Sequence, residues 1–424
     1  METKLIYCVF IYIFGTAMIY SSHNIMELIL LQKTGLTSSQ FGVYDMMSLI
    51  KFFSSFGWVY LAYKTGKYIL TGAITCIGFC LCFCLVNYAP ECMKARQLNF
   101  WCIIYIFGMN IFESGIFPLM DFLVLEMLET PERIARDYGR LRMANPIGNA
   151  LTYTLQLYGK NISDKIAEDN ISFILTILFT ILVSISYFLL SNEVKRNNLK
   201  IKGEKSKHLK TIENVYSISK LFTYPIILLM VLCITHGVAR RGITSYLSDF
   251  MKRLKYSKDK ILYMLMLRIA PEIIMLFCTR YFEYIFGTMT ILGIAILFGI
   301  SRPLIFGLSD EKTIKYFGVF FFIFQEINKS VFAAFFGYST SKLFNEFSEN
   351  CNHSLAQGIN SACYNGMGPF ISGVIAYFSL KNDIDVFDIK YLQQFFIIIG
   401  IISFMGSFSY LLLLLYSKRK VSNK

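Results

Sequence analysis

The stretch NEVKRNNLKIKGEKSKHLKTIENVYSISK, residues 192–220, decides how this chain is organised. It is the longest polar segment and carries Lys195, Arg196, Lys200, Lys202, Lys205, Lys207 and Lys210. Immediately before it stands ISFILTILFTILVSISYFLLS, residues 171–191, with no charged residue, and immediately after it residues 222–249 are again largely apolar. A membrane crossing takes about 20 apolar residues, so both flanks have the length of a span. Working outward, apolar runs at about 5–31, 41–63, 67–89, 99–128 and 142–159 complete six on the N-terminal side. Runs at about 260–283, 287–308, 315–345, 355–379 and 393–417 complete six on the other. The pattern predicts an all-α membrane protein of twelve transmembrane helices in two six-helix bundles: residues 1–191, a basic cytoplasmic linker over 192–220, and residues 221–424.

Composition agrees. Of 424 residues, 55% are hydrophobic and 16% charged, with 40 Phe and 27 Tyr. Soluble globular chains carry charge on about 25% of residues, and disorder requires low hydrophobicity, so both classes are excluded. A transmembrane barrel would show alternating segments of about ten residues instead of continuous runs. The excess of 41 Lys and Arg over 28 Asp and Glu gives a formal charge of +13. In a membrane protein this reads first as retention of basic residues in cytoplasmic loops, not as nucleic-acid binding; for the linker, an anionic-lipid anchor is the functional alternative. Both termini are expected in the cytosol and the protein in the plasma membrane, the lipid bilayer being its first partner. The loop with Lys252, Arg253, Lys255, Lys258 and Lys260 falls on the outer side of this topology, where it either opposes the charge rule or captures solute. Asn161-Ile162-Ser163, in a predicted outer loop, has the form of an N-glycan acceptor. The first run lacks a small-x-small cleavage site and reads as a span.

The halves echo each other. Gly66 and Gly72 open the third run, and Gly287 and Gly293 open the ninth, each pair displaced by 221 residues. Thr37-Ser38-Ser39 before the second run is mirrored by Ser257-Lys258-Asp259 before the eighth. Two parallel six-span halves are the plan of a rocking-bundle transporter.

Several motifs give this plan a family. Gln32 to Gly42 (QKTGLTSSQFG) resembles the entry to the second span in the branch of the major facilitator superfamily that holds lactose, nucleoside and phenylpropionate permease-like proteins. Pro118-Leu119-Met120-Asp121 resembles that branch's fourth-span motif, and Tyr138-Gly139-Arg140-Leu141-Arg142 its Tyr-Gly-Arg-x-Arg loop before the fifth span. Ala270-Pro271-Glu272-Ile273 is similar to the eighth-span Glu motif, Arg302 to the ninth-span Arg, and Leu355-Ala356-Gln357-Gly358 with Gly366, Gly368 and Gly373 to the eleventh span. The resemblance implies a cavity between the two bundles, lined by spans one, four, seven and ten. It also implies a gating role for Lys64, Gly66, Lys67, Tyr138, Gly139, Arg140 and Arg142. The superfamily's loop between spans two and three normally carries an Asp that locks the cytoplasmic gate; Tyr63 stands there instead. Asn145-Pro146 stands where the branch favours Gly and Ser.

Charges inside the bilayer cost ~2.5–3.5 kcal/mol each even on the lenient insertion scale, so each is a functional candidate. Glu27, Asp45, Glu126 and Asp249 lie near span ends and are expected to reach the interface. Deeper lie Asp121, Arg268, Glu272, Arg302, Glu326 and Lys329. Arg268 and Glu272 are four apart, Glu326 and Lys329 three apart, spacings that allow contact on one helix face; Glu272 is the expected carboxylate for Arg302. These groups form either a silent salt network or a substrate and proton site. Arg240 and Arg241 in the seventh run point about 100° apart and carry forked donors for carboxylate or phosphate. They either bind an anionic cargo or tie helices together, with Asp121, Glu113 and Glu326 as the acids able to absorb them. His23 and His236 read as packed side chains, and Cys76, Cys80 and Cys84 as a packing stripe. No Walker loop, His-Glu-x-x-His or Cys-x-x-Cys is present, and Gly-Val-Ala-Arg-Arg-Gly at 237–242 lies in a span instead of a nucleotide turn. No enzyme, metal or cofactor is expected. The functional expectation is a secondary active transporter of a small polar solute, coupled to protons and working by alternating access; the competitor is a transport-inactive receptor or scaffold with the same fold.

Overall fold

The structure, a computed structural model, describes residues 2–34, 38–87, 95–128, 131–162, 168–196, 222–348, 353–381 and 389–422. Every long element among them is helical. The first six runs become α1 (Thr3–Thr34), α2 (Ser38–Met46), α3 (Leu49–Thr65), α4 (Tyr68–Asn87), α5 (Ala95–Leu128), α6 (Pro131–Arg142), α7 (Ala144–Ile162) and α8 (Glu168–Arg196). The second six become α9 (Tyr224–Arg253), α10 (Lys258–Leu267), α11 (Ile269–Phe286), α12 (Thr288–Leu308), α13 (Glu311–Phe317), α14 (Val319–Phe347) and α15 (His353–Ser361). A π-helical turn (Ala362–Met367) then leads into α16 (Gly368–Ser379), α17 (Lys390–Gly406) and α18 (Phe408–Ser422). At 1.5 Å per residue the 32 residues of α1 extend roughly 48 Å, well beyond a ~30 Å hydrocarbon core.

The chain divides into two compact units: residues 1–36 with 50–216, and residues 37–49 with 217–424. In the first, α1 packs on α5, α7 and α8, and α4 on α5 and α8. In the second, α9 packs on α16, α17, α18 and the π turn, α12 on α14 and α17, and α2 on α16. The helices are apolar around much of their circumference, with Leu81, Phe100, Ile181, Phe188 and Leu297 exposed on their outer faces, as membrane helices are.

Eight segments among the described residues are long and apolar enough to cross a membrane, and the second, fifth, eighth and eleventh runs are not among them. Each of these four is interrupted or short. The second breaks at Met47–Ser48 between α2 and α3. The eighth breaks at Arg268, where Pro271 has no N–H to donate one turn back. The eleventh contains the π turn, and α7 of the fifth has 19 residues opening Ala144-Asn145-Pro146. Broken helices in corresponding positions of the two halves are a sequence-level pointer to a transport site.

The mirrored glycines do matching work. Gly66 and Gly287 both have positive φ, 69° and 77°, closing the tight links before α4 and α12. A Cβ on Gly72 would meet Tyr187 Oη at 2.7 Å, and one on Gly293 would meet Tyr410 Oη at 2.5 Å. Tyr410 stands 223 residues after Tyr187, so the same aromatic prop recurs. Its hydroxyl donates to the Met289 carbonyl at 3.0 Å. Gly293→Ala is therefore expected to displace that ring and destabilise by about 1–3 kcal/mol. Gly57→Ala, with nothing within 4 Å of the new Cβ, should be neutral or slightly stabilising. Thermal melts of both variants in detergent check this, and equal Tm losses would contradict it. Outside the spans, Asp310 caps α13 by accepting the Thr313 N–H at 3.2 Å, and hydrogen bonding from Thr313 holds its carboxyl below the usual range.

Candidate functional site

In the first unit, α5 carries Asp121 just after Pro118, which removes a backbone donor inside the helix. Asp121 is buried and takes the Tyr12 hydroxyl of α1 at 2.6 Å on one carboxylate oxygen and Arg142 of α6 at 3.3 Å on the other. The Arg142 guanidinium lies 5.6 Å from the buried Tyr138 ring. The Tyr-Gly-Arg-x-Arg element is thus the last turn of a helix and not a loop, and it delivers Arg142 to the fourth-span acid. A second pair lies nearby in sequence: Lys51 Nζ of α3 sits 2.7 Å from Glu113 of α5, both largely buried.

In the second unit, Arg302 of α12 donates to Glu326 of α14 at 2.6 Å, with both side chains almost wholly buried. The expected partner Glu272 is not the one chosen. A carboxylate on α14, which packs directly on α12, reaches Arg302 across the helix interface. The remaining atoms, Arg302 Nε and the second Glu326 oxygen, are buried with no hydrogen-bond partner among the described residues. Lys329 lies within electrostatic reach of Arg268, Glu326, Arg302 and Glu272. It forms no ion pair within 4 Å among the described residues, so the spacing-based contact with Glu326 is not made. Arg268, at the helix break, is buried, and its carbonyl accepts the Ser330 hydroxyl at 2.6 Å. Three cations and two carboxylates therefore gather on α10–α12 and α14, with one formal positive charge to spare.

The two adjacent arginines of α9 part company. Arg241 donates from Nε at 2.8 Å and from its terminal nitrogen at 2.5 Å to one oxygen of Asp45, and Ser245 donates to the other at 2.9 Å. Asp45, on α2, is fully buried, so it does not reach the interface as its place in the run suggests. Gly42 makes this possible: a Cβ there would meet the Gly373 carbonyl at 2.8 Å, so α2 and α16 run backbone against backbone, as small residues permit in membranes. Arg240 has no carboxylate partner among the described residues. Its terminal nitrogen donates to Asn365 Oδ1 at 2.7 Å, and its guanidinium lies 4.3 Å over the Tyr364 ring.

The family model described as the MFS_1 like family matches residues 3–389. The chain belongs to that family. Solved structures with the same fold include a point mutant of the nucleoside transporter NupG, with TM-score 0.71 and 14% identity, covering 97% of this chain and 100% of that one. A bacterial homologue of the iron transporter ferroportin in its outward-facing state gives 0.65 and 12%, covering 97% and 99%. A bacterial homologue of the human drug peptide transporters gives 0.65 and 13%, covering 98% of both chains. No curated protein matches the chain. Family and neighbours are transporters, and the chain is a multi-pass membrane protein of the major facilitator superfamily.

Within this MFS_1-like chain the gating candidates divide. Gly66 makes the left-handed turn between α3 and α4, and Lys64 and Lys67 beside it are exposed. Arg140 is exposed and Gly139 half-buried on α6, while Tyr138 and Arg142 belong to the Asp121 cluster. His236 is packed: Nδ1 lies 2.9 Å from Ser403 Oγ, Nε2 lies 3.3 Å from Ser407 Oγ, and Phe332 and Phe336 flank the ring. Of the basic residues at 252–260, Arg253 ends α9 and pairs with Asp249 one turn back at 2.9 Å. Residues 197–220 of the linker, Ser163 of the glycan tripeptide, and the side chains of His23, Glu27, Lys258 and Asp259 lie outside the described residues.

Sequence reasoning missed several residues. Lys51 is a charge within an apolar run, a signal that was available, and Glu113 was read only as an acid able to absorb the arginines of the seventh run. Tyr12, Tyr364 and Asn365 gave none, because uncharged polar residues are common in membrane helices. Glu283, too, takes Thr288 at 2.6 Å and Tyr338 and Lys342 at 2.5 Å, bracing α11, α12 and α14.

Proposed function

We propose that this protein is a proton-coupled symporter of a small polar solute, at least part of which is anionic, working by alternating access in the plasma membrane with both termini cytosolic. The observation carrying the proton part is the buried Arg302–Glu326 pair with Lys329 beside it. Desolvating two charges is expensive, and a hydrophobic pair of equal volume is often as stable, so an ion pair kept at this depth is a functional candidate. A carboxylate that trades its guanidinium partner for a proton once per cycle is an economical coupling device. Support for the anion comes from the surplus positive charge around Arg240 and around Lys329. The competing reading, a transport-inactive receptor or scaffold, draws on Tyr63 standing where the superfamily's gate carries Asp.

Uptake into proteoliposomes separates the two. A panel of labelled sugars, nucleosides and carboxylates is offered with and without an inward proton gradient. The symporter accumulates at least one of them only with the gradient. A chain that moves none of them under either condition is the receptor or scaffold.

A further inference from the structure

The π turn at Ala362–Met367 is the least regular piece of backbone inside the second unit, and it is what brings Tyr364 and Asn365 to Arg240. The turn widens the helix by one residue, with the Gly368 N–H bonding the Cys363 carbonyl five residues back; such turns occur mostly at functional sites. It lies hard against α9. A Cβ on Gly237 would meet the Tyr364 carbonyl at 2.7 Å, and one on Gly368 would meet Gly237 backbone at 2.8 Å. That backbone-to-backbone approach fixes the height of Tyr364 under Arg240, one turn further along α9.

The side chains are held in advance. Tyr364 stacks on Phe336 at 5.3 Å, and Phe336 in turn lies 5.0 Å from Phe332, so the ring beneath the guanidinium is backed by an aromatic column. Asn365 donates through Nδ2 to Ser361 at 3.3 Å, which turns its carbonyl oxygen toward Arg240. The guanidinium therefore has one face on a ring and one corner on an amide. Its Nε–H is buried and has no acceptor among the described residues, a state that is costly to leave unmet. The neighbouring Arg241 spends the same Nε edge on Asp45. Arg240 and Arg241 against Asp45 leave one positive charge at this place.

We infer that Arg240, Tyr364 and Asn365 form a subsite for a single carboxylate of the cargo, Arg240 alone supplying the charge and Arg241 taking no part. One uncompensated guanidinium matches a monoanion. A phosphate dianion would leave a net negative charge away from water, which is expensive, so the carboxylate is the preferred oxyanion. The inference deepens the transporter reading and rests on it for calling the bound group cargo.

The test uses the full chain in lipid nanodiscs at mildly alkaline pH, where inorganic phosphate is mainly the dianion, followed by thermal unfolding with acetate, benzoate, benzamide and inorganic phosphate as probes. Acetate and benzoate are expected to raise Tm saturably, while benzamide, the neutral isostere of benzoate, and phosphate are not. Arg240→Gln should weaken the benzoate response at least tenfold, Arg240→Lys should keep part of it, and Arg241→Gln should leave the apparent affinity unchanged even though its own Tm is lower. Tyr364→Leu, which keeps every charge, guards against misfolding of Arg240→Gln and should show an intermediate loss. The subsite is overturned by an absent response in the wild type, by an unaltered response in Arg240→Gln, or by equal responses to benzamide or phosphate. Carboxylate binding in a chain that transports nothing would instead remove the transporter reading and leave the subsite standing.

Discussion

Arg302→Met is expected to destabilise the protein by about 3–5 kcal/mol, the usual consequence of stranding one member of a buried ion pair. Both partners are nearly inaccessible, at 5% and 3% exposure of their side chains, so solvent does little to soften the loss. Lys329 stands within electrostatic reach of Glu326 and is the cation placed to take over part of the role, which sets the effect at the lower end of that range. The double variant Arg302→Met, Glu326→Gln should recover most of the loss, since no net charge is then left unpaired by the change. A double-mutant cycle from thermal or denaturant unfolding measures the coupling. Additive losses would mean that the two side chains contribute independently and that the contact is incidental. Glu326→Gln alone leaves three cations against one carboxylate and should destabilise at least as much as Arg302→Met, while uncoupling solute movement from the proton gradient.

Asp45→Ala has the second-largest expected effect. It removes the acceptor of two Arg241 donors and of the Ser245 hydroxyl. Because Arg241 is about a quarter exposed, the stranded guanidinium recovers some hydration, and the cost is about 1–3 kcal/mol. The more diagnostic change is local. The backbone-on-backbone seat of α2 at Gly42 and Gly373, with the Ser39 hydroxyl on the Tyr377 carbonyl at 2.9 Å, should loosen. A cysteine introduced at the buried Ser39 is then labelled by a membrane-impermeant maleimide at least ten times faster than in the parent. Unchanged labelling would show that α2 is held by packing alone.

Much of this was legible in residues 192–220 and in the apolar runs around them. Length and hydropathy report on whole helices, which is why the twelve-helix plan and the matched roles of Gly66 and Gly287 were readable. They report poorly on how a helix is broken. Nothing in Ala362-Cys363-Tyr364-Asn365-Gly366-Met367 signals a π turn, because the extra residue is accommodated by a tertiary seat on Gly237 and not by local propensity. Pairing across helices was equally hidden. The four-residue spacing of Arg268 and Glu272 drew attention to neighbours on one helix, whereas Arg302 found its carboxylate on α14, 24 residues away. Asp45 looked interfacial from its place in the run, but the glycine seat of α2 on α16 carries it inward to Arg241. The acids that sequence reasoning offered to both arginines are engaged elsewhere: Asp121 by Tyr12 and Arg142, Glu113 by Lys51, Glu326 by Arg302.

Proton-coupled transport itself is tested most directly by proton movement and not by cargo. Proteoliposomes holding the full chain and a trapped pH-sensitive dye are given sugars, nucleosides and carboxylates one at a time, without an imposed gradient. At least one solute should acidify the lumen as it enters, and the same solute should give no proton signal with Glu326→Gln protein. Entry of a solute with no lumenal pH change in the wild type, or an undiminished proton signal in Glu326→Gln, would contradict the coupling assigned to the Arg302–Glu326 pair.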